Sequence, residues 1–112
     1  MAVARTVEPP LVSTWPCFTE AMFVARRDLG WPGQRSLLRM IERESLLLVD
    51  VDRDGCSRVT ALMAKYGDVP MSLADATLVV TAEKLRQDTV FTLDRHFELY
   101  RLNDRKPFKL LP

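Results

Sequence analysis

MSLADATLVVTAEKLRQDTVFTLDRHF, residues 71–97, is the stretch that decides the fold. It predicts a helix over about 72–87 that is apolar nearly all round, followed by an apolar strand at 89–93. Asp75 lies near the start of this helix, and Asp94 comes directly after the strand. An isolated carboxylate costs roughly several kcal/mol to bury unless a cation or a hydrogen-bond donor meets it. The two acids therefore require partners, and a metal ion is a suitable one.

Strands and helices alternate outward from this stretch. Residues 1–10 end in Pro9-Pro10 and are expected to form an irregular lead-in, and Gly30–Gly33 is expected to break the chain between two helices. The further predicted elements are strands at 11–15 (LVSTW), 45–51 (SLLLVDV) and 108–111 (FKLL), helices at about 16–27, 35–43 and 59–66, and a short helical turn at 96–100 (HFELY). This alternation predicts an α/β fold in three layers, with a mostly parallel sheet flanked by helices.

Composition limits the class of protein. With 112 residues the chain is expected to form a single domain, 1–112, around one core. Its 47% hydrophobic and 28% charged residues exclude the disordered and fibrous classes. A net charge of +1 gives no indication of a nucleic-acid partner, although a neutral total is compatible with a local basic patch.

Cysteine usage and hydropathy indicate the compartment. Cys17 and Cys56 lie far apart and form no CxxC or Cys/His cluster, which favours two reduced thiols and predicts no zinc site. No apolar run approaches about 18 residues, and the amino end lacks the apolar segment of a signal peptide. A cytoplasmic location without membrane contact is therefore expected.

Three acids are expected at one edge of the sheet. Glu20 lies in the helix after LVSTW, Asp94 follows TVFTL, and Asp75 lies in the first turn of the apolar helix. Ligands of open parallel sheets bind beyond the carboxyl ends of the strands, where these acids fall. Mg²⁺ and Mn²⁺ prefer oxygen ligands, and like-charged carboxylates tolerate one another around such a cation. A site of this kind activates water and stabilises phosphoryl charge, so the chemistry indicated is phosphodiester hydrolysis.

Each acid also has a simpler interpretation. Ser72-Leu-Ala-Asp75 matches the capping-box pattern, in which the acid reaches back to the amide of the N-cap residue. Asp94 is also consistent with a turn acid after a strand, and Glu20 with a solvated helix acid. Taken singly, none of the three identifies a metal site, and both interpretations stay open.

A second acidic segment resembles a calcium loop at its start. Asp50-Val-Asp-Arg-Asp-Gly55 matches the opening of an EF-hand loop, but the twelfth position is Ala61 in place of the bidentate Glu. A predicted strand also precedes it where an EF-hand has a helix. We interpret these acids as a solvated turn.

Two segments resemble a known family. KYGDVPMSLADATLVVTAEKLRQDTVFTLDRHFELYR (65–101) resembles the carboxyl half of PIN-domain ribonucleases of the VapC toxin class, which belong to type II toxin-antitoxin systems. PLVSTWPCFTEAMFVARR (10–27) is similar to their second strand and the helix that carries a family Glu. The likeness runs from about Pro10 to Pro112, and the order TEA, LADA, TLDRHF is fairly specific.

The resemblance implies a site, an activity and partners. Carried over position by position, the family's acidic cluster falls on Glu20, Asp75 and Asp94, as metal ligands and catalytic residues. The implied activity is that of a Mg²⁺- or Mn²⁺-dependent endoribonuclease cleaving RNA. The implied partners are a small antitoxin protein that blocks the site and a second copy of the chain in a homodimer. The alternative function is a catalytically silent PIN-like module that still binds an antitoxin.

The amino end departs from the family. PIN domains begin with an apolar strand that ends in an Asp metal ligand, whereas the only acid before Pro10 is Glu8. The N-terminal strand is therefore expected to be missing, either because Met1 is internal to a longer gene or because this is a decayed relative. LVSTW and TVFTL would then lack the partner between them and leave the chain weakly stable. Recruitment of residues 1–7, with Val3 and Val7, as a substitute is the open alternative.

Overall fold

A computed structural model describes residues 3–4, 11–87, 89–91 and 99–111. The strands are β1 (Val3–Ala4), β2 (Leu11–Thr14), β3 (Leu46–Val49), β4 (Thr89–Phe91), β5 (Arg101–Leu102), β6 (Lys106–Pro107) and β7 (Lys109–Leu111). The helices are α1 (Trp15–Glu42), α2 (Arg53–Lys65) and α3 (Leu73–Leu85). The predicted strands at β2, β3, β4 and β7 and the predicted apolar helix at α3 are confirmed.

The break in α1 is shorter than predicted. Gly30 alone leaves helical geometry, with φ 67° and ψ −159°, and the helix resumes so that Pro32 lies within it. Glycine adopts this left-handed φ without the Cβ clash that other residues meet, and proline is tolerated in the first turn after such a break. The expected break across Gly30–Gly33 is therefore confined to one residue.

The sheet is mostly parallel, as predicted. Its strand order is β3-β2-β1-β4-β7, with β2 parallel to β3 and β4 parallel to β7. Since β1 is antiparallel to both β2 and β4, those two strands run in the same direction. The carboxyl ends of β2, β3, β4 and β7 therefore lie at one edge, the edge from which α1 begins.

The expectation that β2 and β4 lack a central partner is wrong. β1 lies between them, in the register Ala4↔Val12 on one side and Val3↔Phe91 on the other. The irregular lead-in predicted for residues 1–10 is corrected in the same way at Val3–Ala4. Residues 5–10 connect β1 to β2, which suffices for antiparallel neighbours, whereas a parallel pair needs a crossover of roughly a dozen residues or more. The open alternative, recruitment of residues 1–7 as a substitute strand, is confirmed at Val3–Ala4, and Val7 lies outside the described residues.

Helices cover both faces of the sheet. On one face, Leu46 and Leu48 of β3 pack in a hydrophobic cluster with Phe18 of α1. Side chains alternate along a strand, and Thr14 pairs with Val49, so Thr14 points to the other face, where it contacts α3. The three-layer arrangement is confirmed. The larger core cluster lies around α3, whose Ala76, Leu78, Val79 and Ala82 are fully buried.

A buried chain of hydrogen bonds joins the end of β2 to the first turns of α3. The hydroxyls of Thr14 and Thr77 lie 2.8 Å apart, and that of Thr77 donates to the carbonyl of Ala74 at 2.8 Å. A hydroxyl has a single proton, so Thr14 is the donor to Thr77. Thr14 Oγ1 in turn accepts from the backbone N–H of Cys17, the N-cap bond of α1, at 3.4 Å. We name these residues the threonine bridge.

The threonine bridge predicts a non-additive mutant cycle. Thr77→Val leaves the buried hydroxyl of Thr14 without its acceptor and should lower the free energy of unfolding by about 1–2 kcal/mol. The double variant Thr14→Val, Thr77→Val leaves no buried hydroxyl unpaired, although it also loses the N-cap of α1, so its loss should be smaller than the sum of the Thr14→Val and Thr77→Val losses. Urea unfolding measures all three proteins. Thr60→Val, at an exposed position in α2, is the control, and losses that simply add would contradict the bridge.

Candidate active site

Asp75 lies in the first turn of α3 and is 8% exposed. Ser72 is the N-cap of the helix, as predicted, and its hydroxyl accepts the backbone N–H of Asp75 at 3.1 Å. The carboxylate itself accepts a hydrogen bond at Oδ2 from the hydroxyl of Tyr100 at 3.1 Å. Asp75 is therefore a buried acid whose side chain is tied to another part of the chain, the hairpin that follows Tyr100.

Glu20 lies on α1 and is exposed. It follows Cys17 by three residues, so the two side chains are neighbours on one helix face. The Cys17 thiol donates to the carbonyl of Ala74 at 3.3 Å, which places it beside the residue that precedes Asp75. Glu20 and Asp75 therefore both lie near Cys17, at the junction of α1 and α3.

Both acids affect the pKa of the Cys17 thiol. Burial raises the pKa of this thiol, and hydrogen bonds with Thr14 and Ser13 act in the opposite direction. The negative charges of Glu20 and Asp75 raise the pKa further. With 4% of its surface exposed, Cys17 is a neutral, buried thiol at physiological pH. It is therefore unsuited to be a thiolate metal ligand.

Asp94, the third predicted acid, lies outside the described residues. The described part of β4 ends at Phe91, three positions before it. Its place in the cluster stays a prediction, as do the ligand and catalytic roles of all three acids. The predicted turn at HFELY also lies outside the described residues over 96–98.

The described donor set fits a hard cation. No group of three or more His, Cys, Asp or Glu side chains forms a metal cage within the described parts of the chain. Mg²⁺, however, is commonly held by one or two carboxylates, with water and substrate phosphates completing its shell. Glu20 and Asp75 offer that chemistry, and the neutral Cys17 beside them does not offer the thiolate that Zn²⁺ prefers.

A cavity of about 440 Å³ lies elsewhere. It is bounded by the residues after β3, the start of α2 and the second half of α3, including Lys84. Lys84 follows Asp75 by nine residues on α3, so it lies on the opposite side of that helix. Neither Glu20 nor Asp75 lines the cavity, and the grouping of these acids identifies the candidate site better than the cavity does.

The acidic segment beside the cavity is not a calcium loop. Asp52 is the N-cap of α2, and its carboxylate accepts the backbone N–H of Gly55 at 2.7 Å. Because α2 already begins at Arg53, the backbone cannot follow a twelve-residue EF-hand loop from Asp50. The acids of this segment therefore lie in the turn and at the start of α2. The prediction was a solvated turn, and the helix start is an addition to it.

Sequence reasoning missed the residues that hold the candidate acids. The contact of Tyr100 with Asp75 joins positions 25 apart through a hairpin that was not predicted. Thr14 and Thr77 are ordinary residues of a strand end and a helix, without a motif of their own. Among these residues, only Tyr100 carried a signal in the sequence. A tyrosine that is buried normally finds a hydrogen-bond partner for its hydroxyl.

These features define the class of the protein, a mixed α/β domain with acids next to the carboxyl-end edge of a mostly parallel sheet. The family model described as the PIN domain matches residues 2–102. The match covers most of the chain, which therefore belongs to the PIN domain family. PIN domains are generally metal-dependent nucleases that use divalent ions, so membership indicates a nuclease. No curated protein matches the chain in a sequence search.

Among the helices of the described segments, none is both long and apolar enough to span a membrane. The long helix α1 is interrupted at Gly30 and carries charged residues on both sides of that position. The described part of the chain therefore offers no transmembrane segment.

The thiols provide a test of the site's packing. Cys56 is exposed and Cys17 buried, and both are free, as predicted. Iodoacetamide at pH 8 should modify Cys56 in the native protein and reach Cys17 only after unfolding, because a raised pKa reduces the thiolate fraction at any given pH. Peptide mass spectrometry after a time course assigns each modification. Comparable rates at the two positions would contradict the buried placement of Cys17.

Proposed function

We propose that the protein is a VapC-like toxin, a metal-dependent endoribonuclease that cleaves RNA phosphodiester bonds. The observation that supports this most is the placement of Glu20 and Asp75 near Cys17, at the junction of α1 and α3. Asp94, three residues beyond the described end of β4, is proposed as the third acid. These residues would hold Mg²⁺ or Mn²⁺.

The two described acids have different surroundings and so different tasks. Asp75 is buried and hydrogen-bonded, which fixes its carboxylate in one place. Glu20 is exposed, so its carboxylate borders the space open to a substrate and to water. The divalent ion, when bound, supplies Lewis-acid stabilisation of phosphoryl charge and lowers the pKa of water. The protein's own contribution is to hold the carboxylates in place.

Cationic side chains lie in the part of the chain that follows Tyr100. Arg105 and Lys106 are exposed in the hairpin that follows Tyr100, and Lys109 is exposed in the next strand, β7. Lys and Arg contact nucleic-acid phosphates without regard to base sequence. We propose that this end of the chain contacts the RNA backbone, while the base preference is set by groove shape and exposed bases.

Substitution of the acids tests the nuclease proposal. Asp75→Asn and Asp94→Asn each remove a charged ligand with little change of shape, and each should abolish Mg²⁺- or Mn²⁺-dependent cleavage of a pooled RNA substrate. Without metal, thermal stability should hold or rise, because crowding of like charges is relieved. The measurements are gel-resolved cleavage and thermal unfolding.

Asp68→Asn, at an exposed acid in a turn, is the matched control and should cleave like the unchanged protein. Full cleavage by Asp75→Asn would refute the assignment of this residue. If Asp75 acted only as a capping acid, the substitution would cost about 1 kcal/mol of stability and leave cleavage unchanged.

We further propose that a small antitoxin binds the outer surface of α1. Phe23 and Trp31 are 68% and 59% exposed and lie on either side of the break at Gly30. Exposed aromatic residues are enriched where one protein binds another. The family resemblance implies that the antitoxin inserts a segment here with an Arg directed to the acids, and that the nuclease forms a homodimer.

Binding of the antitoxin is measurable with the protein encoded by the neighbouring upstream gene. Phe23→Ala and Trp31→Ala should weaken its binding at least tenfold, whereas Leu85→Ala, at an exposed apolar position on α3, should not. Calorimetry gives the affinity, and light scattering of the same samples gives the oligomeric state. A folded protein without affinity at micromolar concentrations would contradict the proposal. Binding without any cleavage would favour the silent module.

A further inference from the structure

We propose that Tyr100 is a positioning residue that fixes the orientation of the Asp75 carboxylate for a divalent cation. The inference rests on the proposed function, because it assigns Asp75 to metal binding. It goes beyond that function in naming a residue, outside the acidic cluster, on which the affinity for metal depends. Three features support it: the hydrogen bond, the packing of the ring and the anchoring of the hairpin.

The hydrogen bond joins two buried groups. Tyr100 is fully buried, and its hydroxyl donates to Oδ2 of Asp75 at 3.1 Å. A carboxylate has two oxygens and about four lone-pair sites, so the bond from Tyr100 occupies only part of its capacity. Rotation about χ2 of Asp is broad where no such contact restrains it. The tyrosine hydroxyl therefore restricts the orientation of the carboxylate.

A tyrosine suits this task better than a cationic residue would. Its hydroxyl is neutral and leaves the charge of Asp75 intact, whereas an Arg or Lys in the same place would compete with the metal for that charge. Partners that hydrogen-bond to ligating side chains commonly orient metal ligands in this way. The contact thus reduces the cost of burying the acid and keeps it able to bind a cation.

The ring of Tyr100 is held from the side by Tyr66. Their centroids are 5.0 Å apart, with the rings inclined at 66° in an edge-to-face contact. The Tyr66 hydroxyl accepts the backbone N–H of Arg101, the residue after Tyr100, at 3.2 Å. Side chain and backbone at this position are therefore both restrained by the same neighbour.

The hairpin of β5 and β6 is anchored to the helices by ion pairs. Arg58 of α2 donates to both carboxylate oxygens of Glu83 on α3, at 3.0 and 2.9 Å, and to Asp104 in the hairpin turn. Glu83 also accepts the backbone N–H of Asn103 at 2.6 Å. Hydrogen bonds from Lys65 and then Arg58 lower the pKa of Asp104, so it is anionic at neutral pH.

This anchoring fixes donor and acceptor on the same rigid element. Asp75 lies in the first turn of α3 and Glu83 lies two turns further along it. The hairpin that presents Tyr100 is fastened at Glu83, so α3 carries the acceptor directly and the donor through the hairpin. A shift of the hairpin away from α3 would separate the two oxygens. The ion pairs are therefore part of the proposed positioning.

Tyr100→Phe tests the proposal because it removes only the hydroxyl. The probe is Mn²⁺, titrated into the full chain by calorimetry and by electron paramagnetic resonance, which require no catalysis. We expect about tenfold weaker Mn²⁺ binding, within the range known for such supporting residues. RNA cleavage should fall at low Mn²⁺ and recover at saturating Mn²⁺, since the ligands themselves remain.

Thr60→Val is the control. It removes an exposed hydroxyl on α2 that donates to the backbone carbonyl of Cys56, and it leaves Asp75, Tyr100 and the hairpin unchanged. It should keep the Mn²⁺ affinity. In an Asp75→Asn background, Tyr100→Phe should cause no additional loss of the residual Mn²⁺ binding, because the carboxylate on which it acts has been replaced.

The outcomes separate this inference from the proposed function. Absence of Mn²⁺ binding by the unchanged protein at millimolar concentrations would overturn both. Binding that is lost in Asp75→Asn but unchanged in Tyr100→Phe would overturn the positioning role alone. Should Tyr100→Phe unfold, Glu83→Gln loosens the hairpin that presents Tyr100 while both Tyr100 and Asp75 keep their side chains. It should weaken Mn²⁺ binding several-fold, and an unchanged affinity there would equally overturn the inference.

Discussion

The threonine bridge is the contact on which the rest of the structure depends. It lies where β2 passes directly into α1, and the same threonine that ends the strand caps the helix and contacts α3. Every polar atom placed there without water needs a partner, so the bridge tolerates little change of geometry. The direction in which α1 leaves this point determines the position of Glu20. The approach of α3 to the same point determines the position of Asp75. The candidate site is thus a consequence of how three elements meet.

The chain separates its charges by depth. Asp75, the buried acid, receives a hydrogen bond from a neutral hydroxyl, whereas the bidentate pair of Arg58 and Glu83 lies nearer to the surface. A buried ion pair has a large desolvation cost that its attraction must offset, and this cost is smaller for a partly exposed pair. The cationic side chains of Arg58 and Lys65 therefore stabilise the hairpin, whereas the described donor to Asp75 is the neutral hydroxyl of Tyr100.

Local sequence signals predicted the elements that are determined locally. The apolar run of α3 and its Ser72 cap, the strand periodicity of β2 and β3 and the glycine break at Gly30 all depend on neighbouring residues. The parallel direction of the sheet followed from the alternation of strands and helices. Asp75 was identified because an acid within an apolar stripe is unusual.

The remaining features depend on contacts between distant residues. β1 is two residues long, too short for any periodicity, and its place is fixed only by the open edges of β2 and β4. The turn of the β5–β6 hairpin uses Asn103 and Asp104 at positive φ, where a glycine would have been the usual signal. Tyr100 contacts Asp75 only because this hairpin folds back. Asp94 was predicted from its position after a strand, and its place in the site stays a prediction.

The short central strand also determines where the sheet opens most easily. β3 and β2 form one parallel ribbon and β4 and β7 another, and within the described residues the ladder between the ribbons consists of β1 alone. α3 contacts both β2 and β1, so a helix reinforces the seam that the backbone ladder joins only narrowly. The ribbon of β2 leads into the helix with Glu20, and that of β4 leads toward Asp94. Slow amide exchange should therefore concentrate within each ribbon, and the seam between them should open at a lower free energy than either.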